Sequence, residues 1–181
     1  MTRYIPPRWC GAKLMIDTNA INARQGIKAL NQLERWRKDG VIMLMMPERA
    51  FKEADAGDNA ERSEKALRQV CSNSERITQE HHRLFAAIST AIFPKGVRGS
   101  ADQNDVEIVY QAADWDHVLV TADGGSKRQP GGILGAKSAL FEIGVTVIGC
   151  DEALEYVRKL IKARDERLTS NCEVTGTPEP E

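Results

Sequence analysis

The chain has 181 residues, 41% apolar and 28% charged, which suits a single soluble domain with a substantial core. Its 25 basic side chains against 26 acidic ones leave a net charge of −1, a balance that neither demands nor excludes a nucleic-acid partner. No apolar run approaches the ~20 residues of a membrane span and no leader-like segment is evident, so a cytoplasmic setting is expected.

Residues 1–12, with Pro6-Pro7, read as an arm before a domain over 13–168. The first strand is expected at Leu14–Asp17, ended by polar Thr18-Asn19. Ile27, Leu30, Leu33 and Trp36 recur every three residues, marking an amphipathic helix that Gly40 can terminate. Val41–Met46 is apolar throughout, as in a strand covered on both faces. Pro47-Glu48 starts a short helix, and two more are expected near 60–71 and 75–91. Pro94, Gly96 and Gly99 interrupt the pattern as a loop through Gln103.

A helix opening at Asp105 leads to a strand at Val118–Thr121. The glycine-rich stretch Gly124–Gly132, a short helix near 134–142 and a strand at Val145–Ile148 come next. Asp151 is placed to cap a last helix with an apolar stripe, which Arg164 interrupts. The polar stretch 169–181 reads as a flexible tail. Alternating strands and helices predict an α/β architecture with a mainly parallel sheet.

Four acids lie at the edges of these elements: Asp17, Glu53, Asp105 and Asp123. A parallel sheet collects such positions in one crevice. Carboxylates gathered there repel one another and raise each other's pKa values, and a divalent metal ion is the usual reason to tolerate them. Each acid also has a plainer reading. Asp17 suits a cap or turn, Asp105 a first-turn charge on a helix dipole, and Asp123 a tight turn before Gly124. Asp105 shares a helical face with Ile108, Val109 and Ala112, which favours an inward position. Glu48 competes with Glu53, but its first-turn place suits a dipole role.

Other polar residues reduce more readily to structure. His81 lies on an apolar stripe, and adjacent His82 lacks the i, i+4 spacing of a helical zinc site. The cysteines Cys10, Cys71, Cys150 and Cys172 are scattered and suggest no zinc site or disulfide framework. The Gly124–Gly132 stretch lacks the ending of a P-loop, although Lys127 and Arg128 are candidate nucleic-acid contacts, with Lys95 and Arg98 on the preceding loop.

Ile16-Asp17-Thr18-Asn19, Pro47 with Glu53, Asp105 with its apolar helix, and Val120-Thr121-Ala122-Asp123 together resemble the PIN-domain nucleases. The resemblance spans roughly residues 13–160 and includes the closing Gly144–Ile148 segment. It implies a three-layer α/β/α sandwich with a cleft for Mg²⁺ or Mn²⁺, and cleavage of RNA by an endoribonuclease. Asp17, Glu53, Asp105 and Asp123 would be the metal ligands, with Asn19 and Thr121 as supporting polar groups. Toxin members of the family act with an antitoxin-like protein partner, while others process RNA; a homodimer is compatible with either. The chain departs from the pattern after Asp123, where Gly124-Gly125-Ser126 replaces a further acid. That departure motivates an alternative, a non-catalytic PIN-like module for RNA or protein binding. A phosphatase with Asp17 as nucleophile is disfavoured, because the second acid expected two residues later is Asn19.

Overall fold

The computed structural model describes residues 8–21, 26–56, 59–68, 70–71, 79–125 and 131–174. Five strands, β1 (Lys13–Ile16), β2 (Met43–Pro47), β3 (Val70–Cys71), β4 (Val118–Val120) and β5 (Val147–Ile148), form one sheet. Their order is β3-β2-β1-β4-β5, and every pairing is parallel. Leu14 sits between Leu44 and Val118, and Met15 between Met45 and Leu119. Leu14, Met15, Leu44 and Leu119 are almost wholly buried or packed against the core, as a central strand covered on both faces requires.

Among the described residues, eight helices cover this sheet: α1 (Lys28–Lys38), α2 (Glu48–Asp55), α3 (Ala60–Leu67), α4 (Gln79–Ile92), α5 (Ser100–Asp114), α6 (Gly132–Gly135), α7 (Lys137–Glu142) and α8 (Cys150–Val174). The result is the three-layer α/β/α sandwich that the sequence predicts. α1 packs against α8, while α5 packs against α4, α2 and the strands β2 and β4. Leu30 and Leu33 on α1, Val106, Val109 and Ala112 on α5, and Ala153 and Val157 on α8 are buried. Fully burying each such leucine or valine contributes roughly 1.5–3 kcal/mol. Among the described residues, no helix is long and apolar enough to cross a membrane.

Several boundaries differ from expectation for identifiable reasons. β1 ends at Ile16, and Asp17 caps a 3-10 turn over Thr18–Ala20. Pro47 closes β2 and caps α2 without a side-chain acceptor. Gln111 supplies that acceptor: its Oε1 takes the Arg49 N–H at 3.1 Å. α5 begins at Ser100, so the loop before it is shorter than expected and Asp105 lies in the second turn. A first-turn dipole role therefore passes to Asp102, whose Oδ2 accepts the Arg98 N–H at 2.9 Å. β3 replaces the end of the expected helix over 60–71. α6 and α7 divide the single helix expected near 134–142. α8 starts at Cys150, and Glu152, not Asp151, reaches back to the Gly149 N–H at 2.9 Å. The helix continues through Val174, past the start of the expected tail.

Candidate active site

The strand order reverses between β1 and β4, so the carboxyl ends of these two strands bound the switch-point crevice of the sheet. Asp17 follows β1 directly. Its N–H donates to Val120 O at 3.0 Å, which carries the β1–β4 pairing one residue beyond the strand. This places Asp17 beside Thr121. Among the described residues only Asp17, His117 and Thr121 are polar and buried, and two of these three are thus neighbours in the crevice. Asp17 Oδ1 accepts the Thr18 N–H at 2.5 Å, and Oδ2 accepts the Thr121 hydroxyl at 2.7 Å. Asp17 is thus a cap and a buried acid at once.

Thr121 and Asn19 hold the two strand ends together. Asn19 Oδ1 accepts the Ala122 N–H at 2.8 Å and lies 3.1 Å from the Thr121 hydroxyl. That hydroxyl in turn accepts the Asp123 N–H at 3.0 Å. Asp123 is gripped by backbone: Oδ1 accepts from Gly125 N–H at 3.1 Å and Oδ2 from Ile133 N–H at 2.8 Å. Gly132 makes the second bond possible. It adopts φ +55°, and a Cβ there would lie 2.3 Å from Asp123 Oδ2.

Glu53 reaches the crevice from α2. Its Oε2 accepts the Thr18 hydroxyl at 2.9 Å, and its Oε1 accepts Asn104 Nδ2 at 2.6 Å. Arg49 donates to Asn104 Oδ1, fixing which way the amide faces. Glu48, by contrast, pairs with Lys52 at 2.7 Å within α2. Asp105, half-buried on α5, has no hydrogen-bond partner among the described residues.

The electrostatics follow from this placement. Burial pushes the Asp17 carboxyl above its ordinary range; the Thr121 and Thr18 hydrogen bonds oppose that rise, while Glu53 and Asp123 add to it. Asp105 has no such relief. Burial first, then the fields of Asp17, Asp123, Glu53 and Asp102, push it up to about 7. The four acids predicted from sequence therefore lie within electrostatic reach of one another, with Asp105 bearing the repulsion.

The donors here are carboxylate, amide and hydroxyl oxygens, the kind that Mg²⁺ and Mn²⁺ prefer. As the side chains stand, no three His, Cys, Asp or Glu groups among the described residues are gathered tightly enough to hold an ion. The residues fit such a cation by chemistry, and its binding would have to draw them together.

No family model matches the chain, and neither does any curated protein. One matching solved structure is the "Structure of FitAB bound to IR36 DNA fragment". It is 15% identical, with a TM-score of 0.42, over 76% of this chain and 94% of that one. So distant a likeness assigns no role to any residue here; the fold stands on its own strand order and pairing.

Thr18, Asn104, Arg49 and Gly132 belong to the site but are absent from the sequence-based set. Thr18 and Asn104 each adjoin a predicted residue, and that adjacency was the available signal. Arg49 and Gly132 act through tertiary contacts that no local pattern marks. Lys127 and Arg128 lie outside the described residues, while Lys95 and Arg98 are exposed. His81 is half-buried beside Tyr110 and pairs with Asp114 at 3.3 Å, a structural role as expected. Buried His117 also has structural partners, with Nδ1 2.5 Å from Trp115 O and Nε2 3.4 Å from Met43 Sδ.

Proposed function

We propose that this chain is a divalent-metal-dependent phosphodiesterase, specifically an endoribonuclease using Mg²⁺ or Mn²⁺. One observation carries the reading: four acids from separate elements line the switch-point crevice, where burial first and then the fields of the other acids push Asp105 up to about 7. A fold gains no stability from such repulsion, so a positively charged ligand is its natural complement.

In this reading Asp17, Glu53, Asp105 and Asp123 supply the metal ligands. When bound, a divalent ion offsets phosphate charge and lowers the pKa of an attacking water. Thr121 orients Asp17 and the start of the Asp123 loop together. Thr18 and Asn104 hold both Glu53 oxygens, and Asn19 ties the two strand ends. These contacts orient Asp17, Glu53 and Asp123, and a bound ion would draw the four carboxylates together.

Mn²⁺-dependent cleavage of single-stranded RNA by the parent chain, lost in Asp17→Asn, is the expected result. Asparagine keeps the size of Asp17 and an oxygen for the Thr18 N–H, while its amide meets the Thr121 hydroxyl, whose proton can turn to Asn19 Oδ1. Equal cleavage by both proteins overturns the reading. A non-catalytic RNA-binding or protein-interaction role draws support from Asp123, both of whose oxygens are occupied by backbone donors. RNA binding without Mn²⁺ binding or cleavage would favour that role.

A further inference from the structure

Arg62 occupies an electrostatically unfavourable place in its own helix. Asn59 Oδ1 caps α3 by accepting the Arg62 N–H at 3.0 Å, making Arg62 the third helical residue. A cation in the first turn opposes the helix dipole. Glu61 shares that first turn, but among the described residues no carboxylate forms an ion pair with the Arg62 guanidinium. Among the described residues, the Arg62 guanidinium has one partner: Nη2 donates to the neutral carbonyl of Thr18 at 2.6 Å.

Three cations on the neighbouring helices and on α3 itself are paired with acids, while Arg37, like Arg62, donates to a carbonyl, that of Arg68 at the far end of α3. Arg49 pairs with Glu107 at 3.3 Å, Lys65 with Glu34 at 2.5 Å, and Arg68 with Glu64 at 2.5 Å. Arg62 differs in location as well as in charge. Its partner Thr18 lies between Asp17 and Asn19, and the Thr18 hydroxyl bonds Glu53. The guanidinium of half-buried Arg62 is therefore anchored at the rim of the acidic crevice, with no ion pair among the described residues. Two constraints hold it there, the Asn59 cap and the buried-edge ion pair between Lys65 on the same helix and Glu34 on α1.

We infer that Arg62 is a substrate-binding residue, whose guanidinium takes a non-bridging oxygen of an RNA phosphate next to the one that is cleaved. A guanidinium can keep one N–H on the Thr18 carbonyl and present others to phosphate, a division that a lysine ammonium makes with poorer geometry. The inference rests on the nuclease reading above and adds a residue from α3, which the four acids do not involve.

The test uses the full chain carrying Asp17→Asn to suppress cleavage, with and without Arg62→Gln or Arg62→Lys. Binding of a labelled mixed-sequence single-stranded RNA is measured with Mn²⁺ across a salt series. Arg62→Gln should weaken binding about tenfold, and the slope of log affinity against log salt should lose roughly 0.7, the contribution of one phosphate contact on a single strand. Arg62→Lys should retain the slope while binding less tightly than the arginine form. A purely structural role would change affinity through folding and leave the slope intact; an unchanged slope in a folded Arg62→Gln protein therefore overturns the proposal. If the otherwise wild-type chain cleaves RNA while that slope is unchanged, Arg62 alone is excluded. If it neither cleaves nor binds RNA, the nuclease reading and the Arg62 proposal fail together.

Discussion

Gly132 and Asp123 are fitted to one another so closely that a single added carbon would collide: a Cβ on Gly132 would lie 2.3 Å from Asp123 Oδ2 and 2.5 Å from its carboxyl carbon. The same proximity lets the next residue, Ile133, donate its N–H to Asp123. Gly132→Ala must therefore displace the Asp123 carboxylate and also place alanine at φ +55°. The left-handed conformation costs roughly 1–2 kcal/mol and overpacking about 1–3 more, so a fall in melting temperature of at least ~4 °C is expected. Mn²⁺ affinity should fall as well. A calorimetric scan with and without Mn²⁺ reads both, and an alanine variant indistinguishable from the parent in each would show that Asp123 does not depend on this contact.

Thr121 supports two acids through one hydroxyl, donating to Asp17 and accepting from the Asp123 N–H. Thr121→Val preserves shape and removes both bonds at a position with no exposure. Losing a hydrogen bond to a buried charged group costs about 1.5–3 kcal/mol. The hydrogen bond from Thr121 also opposes the effect of burial on Asp17, so the variant should raise the pKa of Asp17 further. Denaturant melts should show the loss of stability, and carboxyl NMR titration the upward shift. Serine at 121 should restore most of both; failure of serine to do so would assign the effect to packing of the methyl group.

The three central strands and the acids at their ends were legible because they rest on local patterns; the order of the strands was not. Leu14–Ile16, Leu44–Met46 and Val118–Val120 are short apolar runs, and each is followed closely by an oxygen-bearing residue. Asp105 was readable through Ile108, Val109 and Ala112, whose helical spacing points it inward. β3 was not legible: Val70 and Cys71 make only a two-residue strand, too short to show any period. Nor does the sequence around Asp123 reveal that its oxygens bind backbone N–H groups, because that depends on the left-handed turn at Gly132. The Arg49–Asn104–Glu53 chain joins two helices distant in sequence, so it becomes visible only when α2 and α5 pack.

Asn104 donates its amide N–H to Glu53 Oε1 at 2.6 Å. Asn104→Ala should leave that oxygen without its partner and leave the Asn104-directed donor of Arg49 unpaired. A half-buried network losing one member is expected to cost about 1–2 kcal/mol. If Glu53 acts only when the reaction proceeds, kcat for RNA cleavage should fall with little change in KM. A variant that raises KM alone would place Glu53 in uniform substrate binding instead.

The repulsion among the acids predicts an unusual pH dependence. Asp105 ionises near 7 in the folded chain, above its ordinary value of 3.8. Between those two values the native state retains a proton that the unfolded chain has released. Stability is therefore fully present below about pH 4 and declines as pH rises toward 7, where the loss levels off. The raised pKa of Asp17 acts in the same direction. Asp105→Asn removes the titrating group and lowers the charge of the cluster. Asp123 is the poorer site for this test, although relief of repulsion would suggest it from sequence alone. Its two backbone donors would meet an asparagine amide, and only one of them could keep an oxygen. The metal-free Asp105→Asn protein should melt higher than its parent at pH 8, with the difference shrinking toward pH 4. Mn²⁺ should raise the parent's melting temperature in proportion to the logarithm of its concentration above Kd, and more at pH 8 than at pH 5, because protons compete for the carboxylates. The variant should gain less, having lost one ligand. Calorimetry at pH 5 and pH 8, with and without Mn²⁺, separates these effects. If Asp105→Asn melts below its parent at pH 8 and responds equally to Mn²⁺, the four carboxylates neither repel one another nor share an ion.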